Sequence, residues 1–338
     1  MKFSLWLILL ISVDASAEPV RLRMATAAPE GSSWAHEFDT VAREVSAATG
    51  GEVQIKWYKG GITGDELTSL ERIRKNQLDG DAGALFCDRL APSLRVGRIV
   101  GLFQSRDEWQ YVMSRLLPDL DREFAHAGFV NLGIGSFGNI LFFTRRPVRS
   151  YEDLKQQKLW TYDLDTMETE TLRSMGLDIA PMPLDQALKA YDEGRIDGFV
   201  STPTAALAFQ WSARARYYTD LVVGQLPGCF VIAQRALDPL SLEQRNILAN
   251  AVAKFTERFR ALGTLQDDAL LNGLFERQGL HRTVADAPLR ASFLSASRVA
   301  REKLTQEMVP HALLVRTLGW LADYRSEHAA EESGAPTR

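Results

Sequence analysis

Cysteine is nearly absent from this chain. Cys87 and Cys229 are the two in 338 residues, and a zinc site needs four ligands at close paired spacings. Histidine is almost as scarce. His36, His126, His281, His311 and His328 form no H-E-x-x-H arrangement and stand beside no cysteine. No G-x-S-x-G, S-x-x-K or P-loop occurs, so enzymatic chemistry has no supporting constellation. Neither sign of charge dominates: 39 Lys and Arg against 43 Asp and Glu leave a net charge of −4. A nucleic-acid binder would need a basic face, and this composition excludes one as the main character of the surface. After residue 17 no apolar run reaches the roughly 20 residues of a bilayer-spanning helix.

A hydrophobic share of 46% and a charged share of 24% are ordinary for a folded globular chain. At ~150 residues per domain the length suggests about two lobes. The first 17 residues read as an export signal: Lys2, then the apolar core Leu5 to Val13, then Ala15-Ser16-Ala17 as an A-x-A-like cleavage site. The mature chain is expected to begin at Glu18 and to reside in the periplasm, an oxidising compartment in which two cysteines are able to pair. No cysteine follows the apolar core to accept a lipid.

Strand and helix patterns alternate through the mature chain. Leu22 to Ala25 reads as a strand. Ser32 or Ser33 then caps a helix whose apolar face is Trp34, Phe38, Val41 and Val45. Val53, Ile55 and Trp57 alternate as a second strand, and a second helix runs through Leu67, Leu70 and Ile73. This alternation predicts an α/β fold with a largely parallel sheet. One pattern occurs twice: Leu78-Asp79-Gly80 and Ile196-Asp197-Gly198 each join a helix to a strand. The recurrence predicts two similarly built lobes, with a ligand crevice at the carboxyl ends of their strands. Trp109 to Phe124 reads as a long amphipathic helix, Phe129–Ile134 and Ile140–Phe143 as crossing strands, and Ser241 to about Leu271 as a bracing helix.

Gly133-Ile134-Gly135-Ser136-Phe137-Gly138 matches G-x-G-x-x-G, but a strand-like run follows where a dinucleotide site needs a helix. The better reading is a small-residue crossing where the backbone bends or approaches a ligand. Asp65 and Glu66 suit the first turn of a helix, and Asp163 and Asp165 flank a loop.

Taken in order, a set of short segments resembles the solute-binding proteins of tripartite ATP-independent periplasmic (TRAP) transporters, the DctP type. These are Met24-Ala25-Thr26 with Pro29-Glu30-Gly31-Ser32, Lys59-Gly60-Gly61 through Glu66, Ala91-Pro92, and Leu102-Phe103. Tyr151 to Lys155 with Lys158-Leu159, Pro183-Leu184 and Gly194 to Gly198 complete it. The resemblance implies a two-lobed receptor with a long bracing helix, hinge closure on a small-molecule ligand, delivery to integral-membrane permease subunits, and no cofactor or enzymatic activity. Most members read Lys-Leu-Arg where this chain reads Lys158-Leu159-Trp160, and that arginine clamps the ligand carboxylate. The departure resembles the branch accompanied by a helical-repeat periplasmic subunit, whose ligands are suspected to be apolar. Arg89, Arg145 or Arg146 would be the substitutes for the clamp if the ligand is an organic acid. A sensor feeding a signalling partner is the other open alternative.

The expected lobes are residues 18–131 with 222–262, and 132–221 with 263–325 including the C-terminal helices; 326–338 is expected to be a flexible tail. By pattern and resemblance the cleft residues are Trp34, Glu66, Phe86, Phe103, Phe137, Asn139, Trp160, Tyr162, Met182, Thr202 and Trp211. The resemblance also sets Cys87 and Cys229 on neighbouring antiparallel strands, leaving both a disulfide and two free thiols open.

Overall fold

The computed structural model describes residues 18–303 and 308–332, so the export signal expected over residues 1–17 lies outside it. The strands are β1 (Val20–Ala25), β2 (Val53–Tyr58), β3 (Gly80–Gly83), β4 (Phe129–Thr144) and β5 (Lys158–Tyr162). They continue with β6 (Asp178–Met182), β7 (Gly198–Ser201), β8 (Tyr217–Ala233) and β9 (His281–Thr283). Together they make one sheet in the order β2-β1-β3-β8-β4-β7-β5-β6, with β9 beside β8. β1 is parallel to β2 and β3, and β5 is parallel to β6 and β7. The sheet is largely parallel as expected, and its centre is the departure: β8 is antiparallel to β3, as the resemblance implies, and to β4, and β4 is antiparallel to β7.

The departure has a simple cause. β4 and β8 have 16 and 17 residues, and at about 3.3 Å per residue each reaches roughly 50 Å, enough to run through both halves of the sheet. β8 pairs β3 through Cys229 to Ile232, and β4 pairs β7 through Leu141 to Thr144. The two crossing strands expected at 129–134 and 140–143 are therefore one, with register shifts at Asn131/Gly133, Ser136/Asn139 and Ile140/Phe142. The glycine motif lies in this irregular stretch. A Cβ on Gly133 would stand 2.4 Å from Thr256 Oγ1, and one on Gly138, at φ +116°, would stand 2.4 Å from Asp267 Oδ2. Its glycines admit the bracing helix against the crossing strand, a packing role.

The repeated Asp-Gly pair has the same construction in each half. Asp79 accepts the backbone N–H of Arg23 in β1 (2.9 Å), and Asp197 accepts that of Lys158 in β5 (3.0 Å). A Cβ on Gly80 would stand 2.3 Å from the Val231 carbonyl oxygen of β8. One on Gly198 would stand 2.3 Å from that of Phe143 in β4. The aspartate tethers the parallel neighbour while the glycine lets the antiparallel strand close in. Because backbone cannot yield as a side-chain tip does, Gly80→Ala and Gly198→Ala are each expected to cost about 1–3 kcal/mol in urea unfolding. Gly194→Ala, which meets nothing within 4 Å but has φ +72°, separates backbone strain from this crowding.

Helices cover both faces of the sheet, giving four buried clusters, two in each half. Ser32 caps the helix Ser33–Ala48, whose Trp34, Phe38, Val41 and Val45 are buried as the spacing predicts. The helix Leu242–Ala269 packs Leu248, Val252, Phe255 and Phe259 in the first half. Leu270 at its end, and Phe275 beyond a break at Asn272 and Gly273, reach the core of the second. Two expectations about the end of the chain need correction. The helix His311–Glu332 includes 326–332, placed in a flexible tail, because Ala329, Ala330, Glu331 and Glu332 continue a helix-forming sequence. It also packs on the first half: Leu313 and Leu321 join Trp109 and Leu116, and Arg325 pairs with Glu108 at 2.7 Å.

Cys87 and Cys229 form a disulfide, with Cα atoms 5.9 Å apart. Gly83 and Cys229 are register partners in β3 and β8, and Cys87 begins the short helix that follows β3.

Candidate ligand-binding site

A cavity lies between the two halves at the carboxyl ends of β1, β3, β5 and β7, where such sheets leave their crevice. It contains about 820 Å³ of empty space, open solvent at its mouth included. Of the eleven expected cleft residues, Trp34, Glu66, Phe137, Trp160, Tyr162, Thr202 and Trp211 line it.

Four do not. Phe86 and Phe103 are buried in the core of the first half, though the Phe86 N–H donates to Glu66 at 3.0 Å. Asn139 turns to Gln225 between the crossing strands. Met182 contributes its carbonyl, which accepts the Trp160 indole N–H at 3.0 Å, while its side chain packs on the second half's core. By sequence all four stand at loop or strand ends, and that position alone does not tell which face a side chain takes.

The walls are aromatic. From the first half, Trp34 meets Phe137 edge to face at 5.4 Å. From the second, Trp160 meets Trp211 at 4.7 Å and lies near-parallel to Tyr162 at 6.3 Å. Trp211 is stacked between Phe199 at 5.0 Å and Phe209 at 5.2 Å. With its one polar atom held by Met182, Trp160 offers the cavity only hydrocarbon.

The polar lining is acidic. Glu66, Asp165 and Glu168 border the cavity, and among the described lining residues there is no lysine, arginine or histidine. Glu66 begins its helix after Asp65, the N-cap, and accepts backbone N–H groups from Ala84, Leu85 and Phe86, so it fastens the turn after β3. Burial pushes its carboxyl up, opposed by those N–H groups and by Arg98. Behind the wall, buried Arg98 of the first half holds Asp165 of the second. Arg89 contacts Asp88, Arg145 lies on the Tyr191 ring, and Arg146 reaches Asp197 and the Gln156 carbonyl. None of the three substitute clamps borders the cavity.

Sequence reasoning missed Glu168 and Phe209. Asp165-x-x-Glu168 has the form of a helix start, and Asp165 does cap the helix Thr166–Ser174 by accepting the Glu168 N–H at 3.0 Å. That local role concealed a cavity-lining acid. Burial pushes the Glu168 carboxyl up to about 7, with Arg98 pulling the other way. Since the unfolded carboxyl ionises near 4.3, the folded state binds more protons between those values, and stability is lost as pH rises from about 4.3 to about 7. Glu168→Gln is expected to flatten that slope and to stabilise the protein at pH 8 by about 1–3 kcal/mol, read from urea unfolding across pH.

Residues 24–307 match the family model "Bacterial extracellular solute-binding protein, family 7" (DctP). The chain belongs to this family. Its members bind solutes rather than transform them, in keeping with a cavity between two halves. The "Uncharacterized protein YiiZ" of Salmonella typhimurium is 22% identical over 216 residues, 63% of this chain and 66% of that protein. A solute-binding protein of Chromohalobacter salexigens is 24% identical over 269 residues, 76% of this chain and 77% of that one. Among solved structures, a TRAP periplasmic solute-binding protein from a Sulfitobacter species, with bound β-D-galacturonate, superposes at TM-score 0.79 and 20% identity. That match covers 90% of this chain and 99% of that chain, and it places the DctP chain in the same two-lobed fold.

Proposed function

We infer that this DctP protein is the periplasmic receptor of a TRAP transporter, and that its ligand is largely apolar. The lobes that close on it are the two halves of the sheet, hinged at β4 and β8. Trp34, Phe137, Trp160, Tyr162 and Trp211 form the binding surface, and Arg98–Asp165 is the latch of the closed form. The loaded receptor would then dock on integral-membrane permease subunits, with the helical-repeat periplasmic subunit as a further partner to be sought by co-purification.

The observation that carries this reading is the cavity lining, which combines aromatic rings from both halves with three acids and, among the described residues, no cation. Desolvating a carboxylate costs several kcal/mol unless a partner compensates it. The Sulfitobacter relative holds a sugar acid, and that is the competing reading. A sugar acid here would face Glu66, Asp165 and Glu168 with Trp160 where the resemblance leads one to expect the clamp.

Mass spectrometry of an organic extract of the purified protein is expected to reveal an apolar molecule. Calorimetry on delipidated protein is then expected to show that molecule rebinding and no heat from galacturonate. Trp160→Ala should weaken the rebinding about tenfold, the equivalent of losing roughly 50–60 Å² of apolar contact. Tight galacturonate binding that ignores Trp160→Ala would sink the apolar reading.

A further inference from the structure

Most polar groups around the cavity already have partners. Glu66 accepts three backbone N–H groups. Asp165 divides its oxygens between Arg98 and the Glu168 N–H. The Thr202 hydroxyl accepts the Ala205 N–H, and the Ser201 hydroxyl donates to the Thr202 carbonyl. Glu168 is different. It is 7% exposed and lines the cavity, and among the described residues nothing donates a hydrogen bond to its carboxyl oxygens. The nearest formal cation, Arg98, is already engaged by Asp165.

A carboxyl that faces an apolar cavity with no protein donor is a place that a ligand can fill by supplying one. The same geometry repels a second anion. Facing acids come from three elements: Glu66 at the start of its helix, Asp165 in the loop after β5, and Glu168 itself. Tyr162 also lines the cavity, and burial together with nearby carboxylates keeps its hydroxyl protonated.

We propose that the apolar body of the ligand ends in a single non-anionic head, a hydroxyl or an amine, which donates a hydrogen bond to Glu168. The assignment rests on the apolar-ligand reading above and adds the polarity and charge sign of the head. Aromatic rings then hold the body, and Glu168 fixes its direction. A long-chain acid, which would satisfy the rings equally well, is excluded at the head.

Calorimetry on delipidated protein with phenylpropanol, phenylpropylamine and phenylpropionate tests this, because the three share one body and differ only in the head. The alcohol and the amine are expected to bind at least about tenfold more tightly than the carboxylate at pH 8.5, where Glu168, pushed up to about 7, is ionised. Glu168→Gln keeps the shape and an acceptor oxygen, so it should weaken the amine about tenfold and leave the alcohol within about threefold. Glu168→Leu should weaken both. Circular dichroism confirms that each variant is folded, and the wild-type comparison needs no variant. If all three probes bind equally, the apolar reading stands and the donor head is wrong. If the carboxylate binds best, the donor head is likewise wrong. If none binds while galacturonate does, the apolar reading itself has failed and takes this inference with it.

Discussion

Replacing Arg98 with methionine is expected to destabilise the closed protein by about 3–5 kcal/mol, the usual cost of removing one partner from a buried ion pair. Arg98 is 5% exposed, and its guanidinium holds Asp165 across the two halves of the molecule. Removing it leaves Asp165 uncompensated and takes the nearest positive charge from Glu66 and Glu168. The arrangement is already costly: burial draws the Arg98 pKa down, and its Nε and Nη1 have no hydrogen-bond partner among the described residues. Because the partners stand on opposite halves, the loss should fall first on closure. Small-angle scattering of Arg98→Met should show a larger radius without ligand, and urea unfolding should give the free-energy loss. Arg98→Met combined with Asp165→Asn, which keeps an oxygen for capping, is expected to recover more than half of it. A loss under about 1 kcal/mol with no change in radius would show that the pair does not latch the halves.

Local signals in the sequence carried furthest where chemistry is also local. The face Trp34-Phe38-Val41-Val45, the Ser32 cap and the doubled Asp-Gly pair are all in the structure, each depending on neighbours within a few residues or on one adjacent strand. Gly133 to Gly138 was recognisable as a crossing for the same reason, since the strand-like residues after it exclude a helix. Relations between distant segments were less legible. A run such as Phe129 to Phe143 shows apolar strand, but only the sheet shows that it is one strand serving both halves. Phe86 and Phe103 have the composition of a cleft wall and sit in a core, while Glu168 has the position of a helix start and lines the cavity. In each case periodicity determines that a side chain is buried, and the partner is fixed by topology, which a single sequence expresses weakly.

Removing the disulfide is expected to have an effect of the same order. The bridge joins residues 142 apart, and in the chain-entropy model such a loop restricts the unfolded state by about 5 kcal/mol; measured losses for native bridges run about 2–5. The enclosed segment has a particular meaning here. It starts just after β3, runs on through Phe103 and Trp109 in the core of the first half, contains all of β4 to β7, and returns in β8, so the bridge ties together, within the first half, the two ends of a segment that includes the excursion into the second. Without it, an unfolded second half would be free to separate from β3 over its whole length. Both cysteines are buried, at 0% and 5% exposure, so a reductant should act slowly on the folded protein and quickly once it opens. The double variant Cys87→Ala with Cys229→Ala should therefore melt roughly 3–8 °C lower by calorimetry, at about 1.5 °C per kcal/mol for a chain of this length. Wild-type protein denatured without reductant should titrate no thiols. Neither cysteine lines the aromatic cavity, so the variant should still bind apolar probes well below its melting temperature. Two thiols per denatured wild-type chain, or an unchanged melting temperature in the variant, would remove the bridge from the account of stability and leave the β3–β8 pairing to hold the excursion closed unaided.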